Sequence, residues 1–233
     1  MRAGFGMARS EKANERLHRF LEIDLVLEGS VLAPRAETEL LARHAIKMLQ
    51  QIGDNPALVI DMCCGSGNVG LSIAHALPEV RLMSADLTED SVETARANVV
   101  RLGLTDRVRI FQGNLFGALA GEDAEGKAAM IVCNPPYIST GRLEGESAHL
   151  LESEPREAFD GGPYGISIQQ RLVREAPTYL KPSGLLLFEF GAGQERQAQL
   201  LLTRSGVFEC LDFPMDEEDR PRVAVARLKD AAA

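Results

Sequence analysis

Short apolar runs alternate with amphipathic stretches along this chain from about residue 57 onward. The segments "ALVID" (57–61), "VRLMSAD" (80–86), "RVRIFQ" (107–112) and "AAMIVCN" (128–134) read as strands. Helical spacing at 68–76 and 88–102 separates the first three. Farther on, helices near 166–180 and 193–204 flank a strand at 184–191, and two more strands follow at 207–213 and 222–228. Strands that alternate with helices predict an α/β fold with a mostly parallel sheet, covered on both faces. Ahead of the first strand, residues 34–52 open with Pro34 and carry Leu41, Ala45, Met48, Leu49 and Ile52 at helical spacing. They predict an amphipathic helix packed on that sheet. Residues 140–165 are rich in Gly and Glu and show no period, which is the mark of a lid or binding loop.

Composition narrows the classes. At 233 residues, with 45% hydrophobic and 25% charged positions, the chain suits one soluble globular domain. Its net charge of −9 argues against a general affinity for nucleic acid. Cys63, Cys64, Cys133 and Cys210 form no CxxC pair, and the four histidines are scattered, so neither a disulfide framework nor a metal site is expected. The first twenty residues carry charges throughout and no apolar run reaches spanning length. The expected setting is the cytoplasm, with no membrane partner.

Two stretches carry chemistry. "DMCCGSGNVG" (61–70) is a glycine-rich turn between a strand and a helix, where free N–H groups can meet a nucleotide-like ligand. Gly65, Gly67 and Gly70 spell GxGxxG and allow an NAD-dependent oxidoreductase. Yet Asp61 and three further residues precede Gly65, a spacing that resembles the first motif of class I methyltransferases, which bind S-adenosylmethionine (SAM). Asp86, at the end of the second strand, would then accept from both ribose hydroxyls, or else only cap the helix beginning near Thr88. The second stretch, "VCNPPYIS" (132–139), stops the fourth strand with two prolines that have no N–H to give a sheet. "NPPY" is similar to the fourth motif of amino methyltransferases. The Asn134 side-chain oxygen and the Pro135 carbonyl can hold both N–H bonds of a planar amide. The prolines keep that carbonyl outward, and Tyr137 can close one face.

Five segments in order extend the likeness to the HemK/PrmC family of protein-(glutamine-N5) methyltransferases, over roughly residues 31–228. "VLAPRAETELL" resembles the family's PRPETE segment, "DMCCGSG" its DLGTGSG loop, and "NPPYIS" is identical to the family form. "EPREAFDGGPYG" (154–165) resembles EPxxALDGGxDG, and "LFEFGAGQ" (187–194) resembles LLEIGxxQ. The resemblance implies a Rossmann-like class I methyltransferase domain over 31–233, with a seven-stranded, mostly parallel sheet and an antiparallel last strand. It implies that Asp61, Cys63, Cys64, Gly65, Ser66 and Gly67 line the methionine part of SAM, and that Asp86 holds ribose. Asn114 and Leu115 would sit beside adenine, with Phe116 a candidate for plain core packing. Asn134, Pro135, Pro136 and Tyr137 would receive the acceptor amide. Residues 1–30 are expected to hold one helix, near 10–22, where release-factor methyltransferases have a substrate-gripping helical domain.

Departures from the family pattern are Cys63 and Cys64 for Gly and Thr, Asn114 for Asp, Tyr164 for Asp, and Gln169–Gln170 for a Tyr-Arg pair. Both loop cysteines are expected to be packing residues rather than redox groups, tolerated in place of glycine if φ stays negative. The acceptor is expected to be a protein bearing an exposed glutamine. The rivals are a small-molecule N- or O-methyltransferase, a nucleic-acid amino methyltransferase, and an inactive SAM-fold module. The acidic stretch 144–160 is expected to order over the acceptor.

Overall fold

A computed structural model describes residues 17–53, 56–152 and 154–230. A short hairpin, β1 (Leu17–Phe20) and β2 (Ile23–Val26), leads into helix α1 (Thr38–Ile52). The main alternation follows: β3 (Leu58–Met62), α2 (Asn68–Ala76), β4 (Arg81–Asp86), α3 (Glu89–Arg101), β5 (Val108–Gln112) and β6 (Ala128–Cys133). After a five-residue helix α4 (Thr140–Glu144) come α5 (Ser167–Tyr179), β7 (Leu180–Glu189), α6 (Glu195–Ser205), β8 (Phe208–Asp212) and β9 (Val223–Leu228). The seven strands β3 to β9 form one sheet in the order β5-β4-β3-β6-β7-β9-β8. Strands β3 to β7 run parallel, and β9 lies antiparallel to both β7 and β8.

The apolar runs form strands because both sheet faces are covered. Along β7, Leu185 and Leu187 point into one core while Leu186 and Phe188 point into the other. The first core is closed by α1 and α2 through Leu41, Leu49, Leu71 and Ile73, and the second by α5 and α6 through Leu172, Ala198 and Leu202. All six residues of β6, at the centre of the sheet, are buried. Each large side chain so enclosed contributes about 1.5–3 kcal/mol relative to exposure. Chain order reverses where β3 lies between β4 and β6, and such a switch point opens a crevice above the strand C-termini.

The helix expected near 10–22 is not formed over the part that is described; residues 17–26 make the hairpin, and 10–16 lie outside the described residues. Phe20, Ile23 and Leu25 alternate inward and join the first core. Asn98 of α3 completes the hairpin edge, donating to the Val26 carbonyl (3.0 Å) and accepting from the Val26 N–H (2.8 Å). Helix α1 begins at Thr38 rather than at Pro34, after a turn in which the Thr38 N–H donates to the Arg35 carbonyl. Of the described residues, no helix is long and apolar enough to cross a membrane.

Candidate active site

The loop after β3 is wound by left-handed backbone at Cys63 (φ 56°), Gly65 (φ 54°) and Gly67 (φ 85°). It is laced to the end of β4: the Cys64 N–H donates to the Ala85 carbonyl, and the Gly65 N–H to Asp86 Oδ2 at 2.9 Å. A methyl group added at Gly65 would meet nothing, so this backbone faces open space. The condition under which a cysteine replaces glycine without strain, a negative φ, is not met at Cys63. The turn begins at the cysteine itself, a conformation that costs a non-glycine residue roughly 1 kcal/mol or more. Cys64 is a packing residue as expected; burial, then the charges of Asp86 and Asp61, hold its thiol well above the ordinary range.

Beneath the loop, Asp61 is buried and its Oδ2 accepts from the Gly70 N–H at 2.9 Å. Burial pushes its carboxyl up to about 7, with the Gly70 bond opposing and the Asp86 charge adding. Gly70 has no room for a side chain, since a Cβ would lie 2.7 Å from that same oxygen. This brings α2 close to β3.

A cavity of about 360 Å³ opens beside the loop, with Cys63, Gly65, Asp86, Asn114, Leu115 and Asn134 among its walls. Asp86 serves the turn as well as the cavity: Oδ1 accepts from the Thr88 N–H (3.1 Å) and hydroxyl (3.3 Å). A carboxylate has about four acceptor positions, so ribose hydroxyls can add to these bonds. Asn114 Oδ1 accepts from Arg171 at 2.6 Å, which leaves one lone pair toward the cavity. Leu115 reaches the cavity through a left-handed backbone (φ 50°), whereas Phe116 is buried and stacks on Tyr179. Ser66 and Gly67 do not reach the cavity. Ser66 is buried with its hydroxyl unpartnered, and Gly67 packs on Leu71. Open glycine backbone, a wall carboxylate with spare acceptors and an apolar Leu115 fit the methionine, ribose and base of SAM in that order. Asp61 and Cys64 border a smaller recess between this cavity and Asn134.

On the other side of Asn134 lies a second cavity of about 310 Å³, walled by Arg35, Glu37, Pro135, Tyr137 and Phe159. Asn134 borders both cavities and the recess. Its Nδ2 donates to the Thr38 hydroxyl at 3.1 Å. Among the described residues nothing donates to Asn134 Oδ1 or to the Pro135 carbonyl, so two acceptors stand open at the junction. Pro136 faces the first cavity. The Tyr137 hydroxyl donates to Glu189 Oε1 at 3.1 Å, and burial, then the Glu189 charge, raises it above the ordinary phenol range.

The segment 154–165 is fastened to this turn. Ile138 N–H donates to the Phe159 carbonyl, Gly161 N–H to the Ile138 carbonyl, and Thr140 N–H to the Gly162 carbonyl. A Cβ at Gly165 would lie 2.5 Å from the Tyr137 carbonyl, so the DGGPYG turn fits only as glycine there. Glu154 pairs with Arg35 and accepts from the Ala33 N–H, tying the segment across the second cavity to the start of α1. Residues 155–158 also wall the first cavity.

Three buried groups under the turn were not singled out from the sequence: Thr38, Glu189 and Arg222. Glu189 ends β7 beside the end of β6, and burial pushes its carboxyl up to about 7 against the pull of Thr38, Arg222 and Tyr137. Arg222 donates to the Phe190 carbonyl and the Tyr137 hydroxyl and lies 3.9 Å from Glu189.

Comparison with known proteins finds relatives over most of the chain. The model of the family described as methyltransferase small domain matches residues 38–204. The release factor glutamine methyltransferase of Geobacter sulfurreducens is 34% identical over 82% of this chain and 64% of its own length. That of Moorella thermoacetica is 33% identical, over 91% of this chain and 72% of its own. This chain thus spans about two thirds of such relatives. In fold it is similar to the protein-(glutamine-N5) methyltransferase (release factor-specific) of Alicyclobacillus acidocaldarius, with a TM-score of 0.50 and 23% identity over 84% of this chain and 94% of that one.

Proposed function

Because this chain belongs to the release factor glutamine methyltransferase family, we propose that it transfers a methyl group from SAM to the side-chain amide nitrogen of a protein glutamine. The observation that carries the reading is Asn134, which stands between two cavities with its side-chain oxygen and the neighbouring Pro135 carbonyl both open. Bound SAM supplies an electrophilic methyl on a sulfonium. The loop at Cys63–Gly65 and the carboxylate of Asp86 would hold it in the first cavity.

The residues around the second cavity meet the chemical difficulty of the acceptor. An amide nitrogen shares its lone pair with the carbonyl and is a poor nucleophile. Two acceptors on its two N–H bonds fix its plane and turn its lone pair toward the first cavity. The Tyr137 ring walls one side, held by its bond to Glu189. No base is needed before transfer, because the proton can leave afterwards to water. Positioning of this kind can lower a barrier by about 7–11 kcal/mol.

A side-chain amide needs little space, and a cavity of about 310 Å³ accommodates a glutamine side chain entering from the surface. The net charge of −9 favours a protein over a nucleic-acid acceptor. The test is transfer of labelled methyl from SAM into a cell extract, followed by hydrolysis-free peptide mapping. Label on glutamine side chains supports the proposal; label confined to metabolites or nucleic acid refutes it. Asn134→Ala should keep SAM affinity and lose about 10²–10³ in kcat.

A further inference from the structure

Tyr137 ends in a hydroxyl with one proton to give and lone pairs to fill, so two bonds of opposite direction fix it in place. The structure has both. The hydroxyl donates to Glu189 Oε1 at 3.1 Å and accepts from a terminal nitrogen of Arg222 at 3.4 Å. We propose that Arg222 is a positioning residue for methyl transfer, which holds the Tyr137 ring against the second cavity through this hydroxyl. The inference rests on the glutamine-methylating reading above and names a residue, not itself a wall of that cavity, on which the reaction depends.

The direction of the contact follows from the groups involved. A guanidinium only donates and keeps its charge, so the hydroxyl must accept from Arg222, and its own proton goes to Glu189. Arg222 in turn has little freedom. Its Nε donates to the Phe190 carbonyl at 3.2 Å, next to the end of β7. The terminal nitrogen that meets Tyr137 lies 3.9 Å from Glu189 Oε1, and the other lies 3.7 Å from Asp216 Oδ2. Its backbone is pinned as well: the Phe190 N–H donates to the Arg222 carbonyl at 2.9 Å, and the Arg222 N–H to the Pro214 carbonyl at 3.0 Å.

The connection between β8 and β9 delivers this side chain. Asp216 Oδ1 accepts from the Glu218 and Arg220 N–H groups, both at 3.0 Å, and so closes the connection into a turn. Arg222 leaves that turn immediately before β9 and meets a tyrosine 85 positions away. It is buried, and a buried cation must recover a large loss of hydration. A site that needed only filling would be served better by an apolar side chain. A fork that reaches a carbonyl and a hydroxyl at once does what no apolar residue can. With both bonds made, the Tyr137 ring keeps its place beside the open acceptors of Asn134 and Pro135. Without the tether it keeps its volume but not its position, and an amide held at two N–H bonds loses support on one face.

Two substitutions break the same bond from opposite ends. Arg222→Lys keeps a cation between Asp216 and Glu189 but ends in one nitrogen instead of a fork. Tyr137→Phe keeps the ring and removes the hydroxyl. Labelling of glutamine in total extract protein is measured at saturating labelled SAM. Each variant should turn over about 10- to 100-fold more slowly, with KM for SAM within about twofold of wild type. The double variant should be no slower than the slower single one. In protein carrying carbon-13 at tyrosine Cζ, the Tyr137 signal, assigned by its loss in Tyr137→Phe, should move in Arg222→Lys. Should Arg222→Lys not fold, Arg222→Met, which has no donor, replaces it in every measurement. Losses that multiply in the double variant, wild-type turnover in either single one, or an unmoved Tyr137 signal overturns the inference. Should wild type label no glutamine while the Tyr137 signal moves in Arg222→Lys, the proposed reaction falls and the tether of Tyr137 stands.

Discussion

Replacing Glu189 by Gln should make folding stability less sensitive to pH, with a sign that follows from burial. The carboxyl moves from an ordinary 4.5 to about 7 in the folded protein, chiefly because burial disfavours its charge. The folded state thus holds a proton that the unfolded chain releases between these values. Its stabilising contribution is complete below 4.5 and is lost as pH rises through 7. At 1.36 kcal/mol for each tenfold change in proton affinity, the whole effect is about 3 kcal/mol, of which roughly 2–3 kcal/mol falls between pH 5 and 8. Glutamine is neutral throughout and nearly isosteric, so the variant lacks this slope. Asp61 titrates with the same sign, its carboxyl also raised to about 7, but does so in both proteins and cancels in the difference. Urea denaturation at pH 5, 6, 7 and 8 measures that difference. The variant should gain on wild type by roughly 2–3 kcal/mol across the series, at constant m-value. A difference that does not change with pH, or that moves the other way, would refute a protonated buried Glu189.

Asp86→Ala should weaken SAM at least tenfold in a calorimetric titration, given about 1.5–3 kcal/mol for a hydrogen bond to a charged group. It should also lower stability, because the Gly65 and Thr88 N–H groups lose their acceptor. Gly70→Ala should cost about 1–3 kcal/mol in chemical denaturation, since its methyl would lie 2.7 Å from Asp61 Oδ2 and 2.9 Å from Leu82. Glu154→Ala cuts the tie from residues 154–158 to Arg35 and Ala33, so limited proteolysis within 144–158 should accelerate several-fold. Equal cleavage rates would show that the segment is held by its other bonds alone.

The strands and most helices were legible because both sheet faces are apolar, and runs such as residues 128–133 have no other stable home. The hairpin at 17–26 was not. Its strands are four residues each, and exposed Arg19 and Asp24 interrupt the apolar positions, so no period stands out. The left-handed turn at Cys63 is set by how the loop leaves β3 for the β4 end, and a cysteine gives no sign of it. Asn134, Pro135 and Asp86 could be named because each stands at a strand end, where side-chain chemistry meets a cavity. Thr38 and Glu189 are defined by contacts spanning 96 and 52 positions, and nothing local to either marks the partner.

The bonds that join Ile138 and Thr140 to Phe159, Gly161 and Gly162 close the intervening chain at its base. The chain between is held at this base and again where Glu154 meets Arg35 and Ala33, and the base carries the Asn134–Tyr137 turn. Lengthening a loop whose ends are already held costs only about 0.6 kcal/mol per doubling. The outer part of this segment can therefore change in length and sequence while Asn134 and Pro135 keep their places. Such a construction separates the residues at the cavity junction from those that are free to vary. Residues far from the junction of the two cavities can be altered without moving Asn134 or Pro135.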